Sequence, residues 1–479
     1  MSTTIQTRPT ATHQREGVKD SGVSARRRRW AALGLLVSAQ FVVMLDTSVV
    51  NVALPSIQAD LRLSPTAVTW VINAYVLAFG GLLLLSGRVA DLFGRRRMFV
   101  AGSTLFMVGT LLAAFAVNQG LMVTGRIVQG VGAAALSPAA MSLLLLTFPG
   151  EKRAKAMSIW GAASTLGGAT GVMAGGLLVG SLGWSSVFFV TVPVSVAAVI
   201  MAPTVLDEAA RGARRRFDGL GAATITGAVI ALVNGALGGA DHGWTSLPVV
   251  ASLAGSAVLI ALFVNVERRT TDPLVPLELF SNRTLSTCVA LAVLGGAARA
   301  STFVLVALYL QQALAMAPQQ AGLAMVPTSL TGFAVSLALL PRTLRTLGPQ
   351  RTLVIGLVVL AAGHLWLANA PLGAGYLVAV LPGLLLVALG VALSFTPTTM
   401  VIAAAAPASH TGLASGLAGS ATQVGAALGT AMFTAIGLSV AEAGTGTLGA
   451  TGFSAAFTAA AVVALATAVF GLTITRTQR

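Results

Sequence analysis

The sequence WAALGLLVSAQFVVMLDTSVVNVAL (residues 30–54) is apolar over the length of one membrane-spanning helix, yet it contains a single carboxylate, Asp46. About 20 apolar residues in a helix cross a hydrocarbon core of roughly 30 Å. An unpaired charge at that depth costs about 3 kcal/mol or more, so intramembrane charges usually face a polar path inside the protein. The stretch therefore predicts a first transmembrane helix in which Asp46 has a function.

The rest of the chain has the same apolar character. Of its 479 residues, 56% are hydrophobic and only 9% are charged, which leaves too little polar surface to cover a soluble globule. About fourteen apolar stretches are long enough to cross a membrane as helices. These stretches are uninterrupted rather than alternating, which argues against a transmembrane β-barrel. The sequence thus predicts an all-α polytopic membrane protein.

The net charge of +15 is explained by membrane topology. If each apolar stretch is one span, all but three of the 29 Lys and Arg residues lie on the same side as the N-terminus; the exceptions are Arg62, Arg126 and Arg299. Cytoplasmic loops of membrane proteins carry such an excess of positive charge. We therefore expect both termini to be cytoplasmic, in a multi-pass protein of the cytoplasmic (inner) membrane, and we do not expect a nucleic-acid partner.

Several sequence features recur in the two ends of the chain, separated each time by about 255 positions. They are a basic loop, a Pro within a span and a Gly-rich span. The matching pairs are Arg88 and Arg342, Pro138 and Pro397, and Ser158 and Ser415. A near-constant separation indicates two homologous halves that rock against each other about a central site.

The predicted organisation is two six-helix bundles joined by a linker that contains two further spans. The residues before the first span are polar and predict disorder. The parts are a disordered cytoplasmic tail (1–29), an N-terminal bundle (30–205), the linker (206–283), a C-terminal bundle (284–475) and a short cytoplasmic tail (476–479).

The segment GRVADLFGRRRM follows the second predicted span. Gly94 permits the positive φ of a tight turn, and Asp91 can bind the N-terminus of a helix in the other half. The predicted conformational latch comprises Gly87, Asp91, Gly94, Arg95 and Arg96. The alternative is a basic loop that only anchors topology. In these positions the segment resembles the cytoplasmic loop motif of the major facilitator superfamily.

The segment GRIVQGVGAA places Arg126 in the fourth predicted span, with Gln129 on the same helical face. An intramembrane Arg needs a counter-charge or several carbonyls. If it lies near the external end of the span, it would instead extend its guanidinium to the membrane surface. The segment resembles the Arg-containing motif of drug:proton antiporters, and the resemblance implies that Arg126 helps a nearby carboxylate to eject its proton.

The fifth predicted span is rich in glycine. Four of its glycines form a candidate antiporter helix motif, namely Gly167, Gly171, Gly175 and Gly176. Spacings of four residues place small residues on one helical face, where they permit close helix packing. The string resembles the antiporter-specific motif of the superfamily, except that Val172 stands where that motif has Pro, so a kink is not assured. A plain packing seam is the alternative.

Other polar residues within the predicted spans are candidates for the substrate cavity, and they are Asn51, Gln129, Arg299, Gln311 and Gln312. Arg299 could contact an anionic or polar substrate, pair with Asp46 across the halves, or lie near a membrane surface. Asp46 itself could bond to Thr47 and Asn51 without ever changing protonation. His364 is more often a packing residue than a proton relay.

The string LDTSVVNVALP (residues 45–55) resembles the first-span signature of the fourteen-span drug:proton antiporters of the major facilitator superfamily. The resemblance implies proton-driven efflux of antibiotics, toxic lipophiles or an endogenous metabolite by alternating access. Asp46 and Arg126 would couple export to protons, with Asp46 as the expected proton carrier. Uptake of a small molecule and a non-transporting sensor on the same fold are the alternatives.

Several chemistries are not predicted by the sequence. It has no phosphate-binding GxxxxGK[ST] string, which argues against ATP as the energy source. It also has no metal-ligand cluster and no nucleophile constellation, so we expect a transporter and not an enzyme, with protons as coupling ion and no cofactor. The expected partners are a small, lipophilic substrate and membrane lipids, and the protein is expected to be a monomer.

Overall fold

The computed structural model describes residues 12–207, 218–278, 283–370, 375–405, 411–440 and 449–477, and these segments are helical with short connections. Thirteen helical stretches are long and apolar enough to span a membrane, and a bent stretch in a further helix brings the number to 14. The predicted all-α polytopic fold is thereby confirmed.

The N-terminal half contains seven helices, of which α6 and α7 together form one span. They are α1 (Thr12–Asp60), α2 (Pro65–Phe93), α3 (Arg95–Ala114), α4 (Gln119–Thr147), α5 (Glu151–Leu182), α6 (Ser186–Phe189) and α7 (Val192–Val205). Ser64 and Asn118 accept bonds from backbone N–H groups at the starts of α2 and α4, which satisfies donors that a helix end leaves free. We call the side on which α2 ends and α3 begins the motif side.

The C-terminal half repeats this arrangement. Its helices are α10 (Arg283–Leu308), α11 (Pro318–Ala324), α12 (Val326–Ala338), α13 (Leu340–Thr346), α14 (Gly348–Ala368), α15 (Leu381–Ala405), α16 (Thr411–Val440) and α17 (Gly449–Thr477). Gly102 of α3 touches the backbone of α4, and Gly356 of α14 touches that of α15 in the same way. Equivalent close approaches in both halves agree with the repeat found in the sequence.

The linker contributes α8 (Gly219–His242) and α9 (Leu247–Arg269). Helix α8 lies where α2 of one half meets α16 of the other, and Leu77, Val233 and Ala427 of these three helices share one apolar cluster. The second seam between the halves lies between α5 and α12, where Thr165 contacts Gly332. The two seams are therefore unlike, because α8 covers the first.

The prediction of a disordered tail over residues 1–29 differs from the structure. Helix α1 already begins at Thr12, so residues 12–29 are helical, while residues 1–11 lie outside the described part of the chain. Once the first span is helical, each added residue gains a backbone hydrogen bond without a new nucleation cost. Polar composition alone did not reveal this extension.

Candidate functional site

A buried ion pair joins α1 and α4 inside the N-terminal half. Asp46 of α1 is fully buried and Arg126 of α4 is 2% exposed. Arg126 donates from Nη1 to Oδ2 of Asp46 over 2.7 Å, and Gln129 donates from Nε2 to Oδ1 over 2.7 Å. Both carboxylate oxygens of Asp46 are thus occupied by donors that lie one turn apart on α4.

Arg126 has several other partners. Its Nε donates to the carbonyl of Val71 over 3.0 Å, and its Nη1 is 2.6 Å from Oε1 of Gln129. The guanidinium lies 4.3 Å from the ring centroid of Tyr75, and Gln129 also donates to Thr110 over 2.9 Å. Such additional bonds offset the desolvation of a buried ion pair. We call this set the acid–arginine cluster; its members are Asp46, Tyr75, Thr110, Arg126 and Gln129.

Two sequence-based expectations change at this cluster. The Arg126 guanidinium does not extend to a membrane surface, because it is buried against α1 and α2. Gln129, predicted to line the substrate cavity, is fully buried in this conformation and donates to Asp46 and Thr110. Its spacing of three residues from Arg126 turns it toward Asp46 instead.

Tyr75 and Thr110 belong to the site but were missed from the sequence. Each is a polar residue in an apolar span, and Tyr75 is 1% exposed. The presence of a polar group within a span was a usable signal. The rotation of α2 and α3 about their axes, which turns both residues toward Arg126 and Gln129, could not be inferred from either span alone.

Asp91 forms the predicted contact with the other half. Its Oδ1 accepts from the backbone N–H of Gly412 over 2.9 Å, and its Oδ2 accepts from that of Leu413 over 2.8 Å. Both donors lie in the first turn of α16, where free N–H groups and the helix dipole favour an anion. Arg95 also donates to Oδ1 of Asp91 over 2.7 Å. One carboxylate therefore ties α2 to α16 on the motif side.

The remaining latch residues explain the shape of this contact. Gly94 has a φ of 105°, which the turn between α2 and α3 requires. Gly87 faces Gly412 so closely that a side chain there would collide with the carbonyl oxygen of Gly412. Arg96 binds within its own half, donating to the carbonyls of Pro203 and Leu206 at the end of α7 over 3.1 and 3.3 Å.

Three of the four motif glycines pack against α1. A Cβ atom on Gly167 would lie 2.5 Å from the Phe41 carbonyl oxygen, and one on Gly171 would lie 2.7 Å from that of Leu45. Gly175 lies against Val49 and Val52. This seam holds α5 against the backbone beside Asp46, so it fixes the position of the acid.

Gly176 does not belong to the seam, because it is exposed and nothing lies within 4 Å of a side chain placed there. Its position directly after Gly175 turns it to another helical face. Helix α5 bends by 41° between Lys152–Gly168 and Met173–Leu182. The bend occurs although Val172 replaces the proline of the motif, and closely spaced glycines are a known cause of such bends.

The other cavity candidates lie apart from the acid–arginine cluster. Asn51 is exposed and donates to the carbonyl of Thr47 over 3.1 Å. Gln311 and Gln312 are exposed in a π-helical turn, Tyr309–Ala313, that follows α10. These positions agree with either a cavity or an external loop.

Arg299 is buried in the C-terminal half, at 4% exposure. Its Nη1 donates to Thr398 of α15 over 3.4 Å, and the guanidinium is 6.0 Å from the ring centroid of Phe395. A pair between Arg299 and Asp46 is not formed here, because α4 occupies both oxygens of Asp46. His364 is fully buried and makes a hydrogen bond of 2.5 Å with Thr302.

Two linked helix bundles related by a repeat are an architecture typical of secondary transporters. Residues 36–430 match the family model described as Major Facilitator Superfamily, and the chain belongs to that superfamily. Its relatives are antibiotic resistance and export proteins, so it is a member of the drug-efflux transporters. Members of this superfamily are generally transporters of small molecules and not enzymes.

The chain is 38% identical to the puromycin resistance protein pur8 of Streptomyces alboniger, over 85% of this chain and 82% of the relative. It is 34% identical to the cephamycin export protein CmcT of Amycolatopsis lactamdurans, over 91% of each. Among solved structures, the human organic anion transporter MFSD10 superposes with a TM-score of 0.68 at 14% identity and covers 92% of this chain and 99% of its own, which supports the fold.

Proposed function

We infer that this transporter exports a small, lipophilic molecule across the cytoplasmic membrane in exchange for protons. The inference depends chiefly on the Asp46–Arg126 pair, a titratable carboxylate buried beside a fixed cation. The names of the relatives, which include a cephamycin export protein and a puromycin resistance protein, support antibiotics or related metabolites as substrates. The motif side is cytoplasmic in this proposal, both termini lie there, and the transporter acts as a monomer surrounded by lipid.

The coupling step is a change in the charge of the acid–arginine cluster. While Asp46 is ionised, it holds Arg126 and Gln129 of α4 against α1. A proton on Asp46 removes the negative charge and weakens the charge-assisted bond, which is about twice as strong as a neutral one. Arg126 keeps the Val71 carbonyl and the Tyr75 ring, so it remains partly compensated. Protonation therefore loosens α1 from α4 without exposing a bare cation.

The conformational step breaks the contact of Asp91 with α16. This carboxylate closes the motif side by bonding two backbone N–H groups of the other half. Hydrogen bonds to a charged group contribute about 1.5–3 kcal/mol each, so the contact can hold one state without trapping the protein in it. The closed motif side corresponds to release of the substrate on the opposite, external side.

Transport in everted membrane vesicles tests the proposal. An imposed pH gradient, acid inside, should drive accumulation of a lipophilic antibiotic to which the protein gives resistance, and a protonophore should abolish it. Vesicles that contain the Asp46→Asn variant serve as the matched control for leakage. Accumulation that needs no pH gradient, continues in the presence of the protonophore and requires ATP or a sodium gradient would refute proton coupling.

A further inference from the structure

The guanidinium of Arg299 lacks the partners that a buried cation normally has. Its Nη1 makes one long hydrogen bond of 3.4 Å to Thr398. Its Nε and Nη2 are buried and have no hydrogen-bond partner in the described part of the chain, and no carboxylate there forms an ion pair with it. The aromatic ring of Phe395 at 6.0 Å is its remaining stabilising contact.

The two donors of Arg299 without a partner among the described residues, Nε and Nη2, lie on the same edge of its planar guanidinium group. Nε and Nη2 point in parallel from the same edge of a guanidinium, which is the edge that binds both oxygens of a carboxylate. A buried cation without such a partner costs several kcal/mol, so a position of this kind is usually functional. The bonding pattern therefore indicates an oxyanion that is not part of the chain.

The position of Arg299 in the repeat places it opposite Asp46. Gly171 of α5 packs against Leu45, the residue before Asp46, whereas Gly429 of α16 packs against Ala297, two residues before Arg299. The two charged residues thus lie at nearly the same level of equivalent helices, α1 and α10. Contacts with α10 and α15 surround Arg299, as contacts with α1 and α4 surround Asp46, which places Arg299 in the core of its bundle.

Local packing makes room for the guanidinium. It folds back over Gly295, one turn earlier on α10, where a Cβ atom would lie 2.7 Å from Nη1. A turn further on, Thr302 holds His364, whose Nδ1 is also buried and unpartnered in the described part of the chain. The surroundings of Arg299 contain polar groups but no acid among its described contacts, which suits an anion.

We propose that Arg299 forms a subsite for an acidic group of the exported molecule, a carboxylate or a similar oxyanion. The proposal rests on the export function inferred above, since the ligand is the exported molecule. At 4% exposure the subsite is closed in this conformation. It opens when α10 and α15 move during alternating access, and the substrate acid then takes the place of the missing counter-charge.

Thermal unfolding of the purified full-length protein with two matched probes tests this subsite. The probes are 2-naphthoate and 2-naphthamide, which share the ring system and differ in charge. A ligand that binds only the folded protein raises its melting temperature. We expect naphthoate to stabilise the wild type more than naphthamide, and Arg299→Gln to weaken naphthoate binding at least tenfold while naphthamide binding changes less than twofold.

Two further variants keep the test decisive if Arg299→Gln does not fold. Gly295→Ala displaces the guanidinium and should also weaken naphthoate binding, whereas Arg345→Gln, at an exposed arginine of α13, should not. Equal stabilisation of the wild type by both probes, or an unchanged preference for naphthoate in the Arg299 and Gly295 variants, would overturn the proposal. Binding needs no proton gradient, so this result is independent of the vesicle experiment.

Discussion

Each half of the molecule buries an arginine within its helix bundle, Arg126 in one and Arg299 in the other, but the two side chains have different surroundings. Arg126 of the N-terminal half has a carboxylate, an amide, a carbonyl and an aromatic ring around it. Arg299 of the C-terminal half has one long hydrogen bond and a distant ring. The repeat thus preserves helix packing, while the charges have diverged. Arg126 therefore has a counter-ion within its own half, whereas no ion pair to Arg299 is formed among the described residues.

The largest expected effect comes from removing the paired arginine. Arg126→Gln leaves Asp46 buried without a counter-charge, which should lower the free energy of unfolding by about 3–5 kcal/mol. Arg299→Gln removes a cation that has no ion pair among the described residues, so we expect a loss of less than about 1 kcal/mol or a gain. Tryptophan fluorescence during thermal unfolding in detergent measures both variants.

The double variant Asp46→Asn/Arg126→Gln is the control for that comparison. It removes both charges and should recover most of the stability that Arg126→Gln loses. Similar destabilisation by Arg126→Gln and Arg299→Gln would show that the two arginines do not differ as their contacts indicate.

Asp46→Asn should abolish export driven by a pH gradient, because the amide cannot carry a proton. Both carboxylate oxygens of Asp46 accept bonds, one from Arg126 and one from Gln129, so the amide nitrogen of the new side chain would meet one of these donors and some loss of stability is also expected. The initial rate of accumulation in everted vesicles, normalised to folded protein, measures the effect. Undiminished gradient-driven export by this variant would contradict the role of Asp46.

Asp91→Asn tests whether the contact between Asp91 and α16 controls the opening and closing of the two halves. The variant keeps the shape but weakens two charge-assisted bonds to α16, so we expect turnover to fall about tenfold with substrate affinity changed less than twofold. Asp207→Asn is the control, because Asp207 forms an exposed ion pair with Arg28 that contributes little. A collapse of affinity with normal opening and closing in labelling experiments would count against a latch.

The smallest effects are expected in the glycine seam beside Asp46. Gly171→Ala places a Cβ atom 2.7 Å from the Leu45 carbonyl oxygen, so α1 and α5 must move apart at a cost of about 1–3 kcal/mol. Gly176→Ala meets nothing within 4 Å and should be neutral or slightly stabilising. Melting temperatures of the two variants check this pair, and equal losses would show that the seam does not determine stability here.

Much of the fold could be predicted from apolar length, charge distribution and repetition, since these follow directly from the bilayer. The sequence also pointed to three functional residues. Asp46 and Arg126 are isolated charges within apolar spans, and Asp91 lies in a tight basic turn. The pairing of Asp46 with Arg126 and Gln129 could not be predicted from the sequence, because it depends on the orientation of each helix about its axis. Tyr75 was missed because the rotation of α2 that turns it toward Arg126 could not be inferred, and the extension of α1 to Thr12 was missed because its polar composition does not predict a helix.

Helix α8 gives the molecule two unlike lateral edges. It covers the line where α2 meets α16, whereas no additional helix among the described residues covers the line where α5 meets α12. For the lipophilic cargo proposed above, lateral entry from the bilayer is therefore expected at the edge between α5 and α12 and not at the edge that α8 covers, although the two bundles themselves are related by a near-twofold repeat.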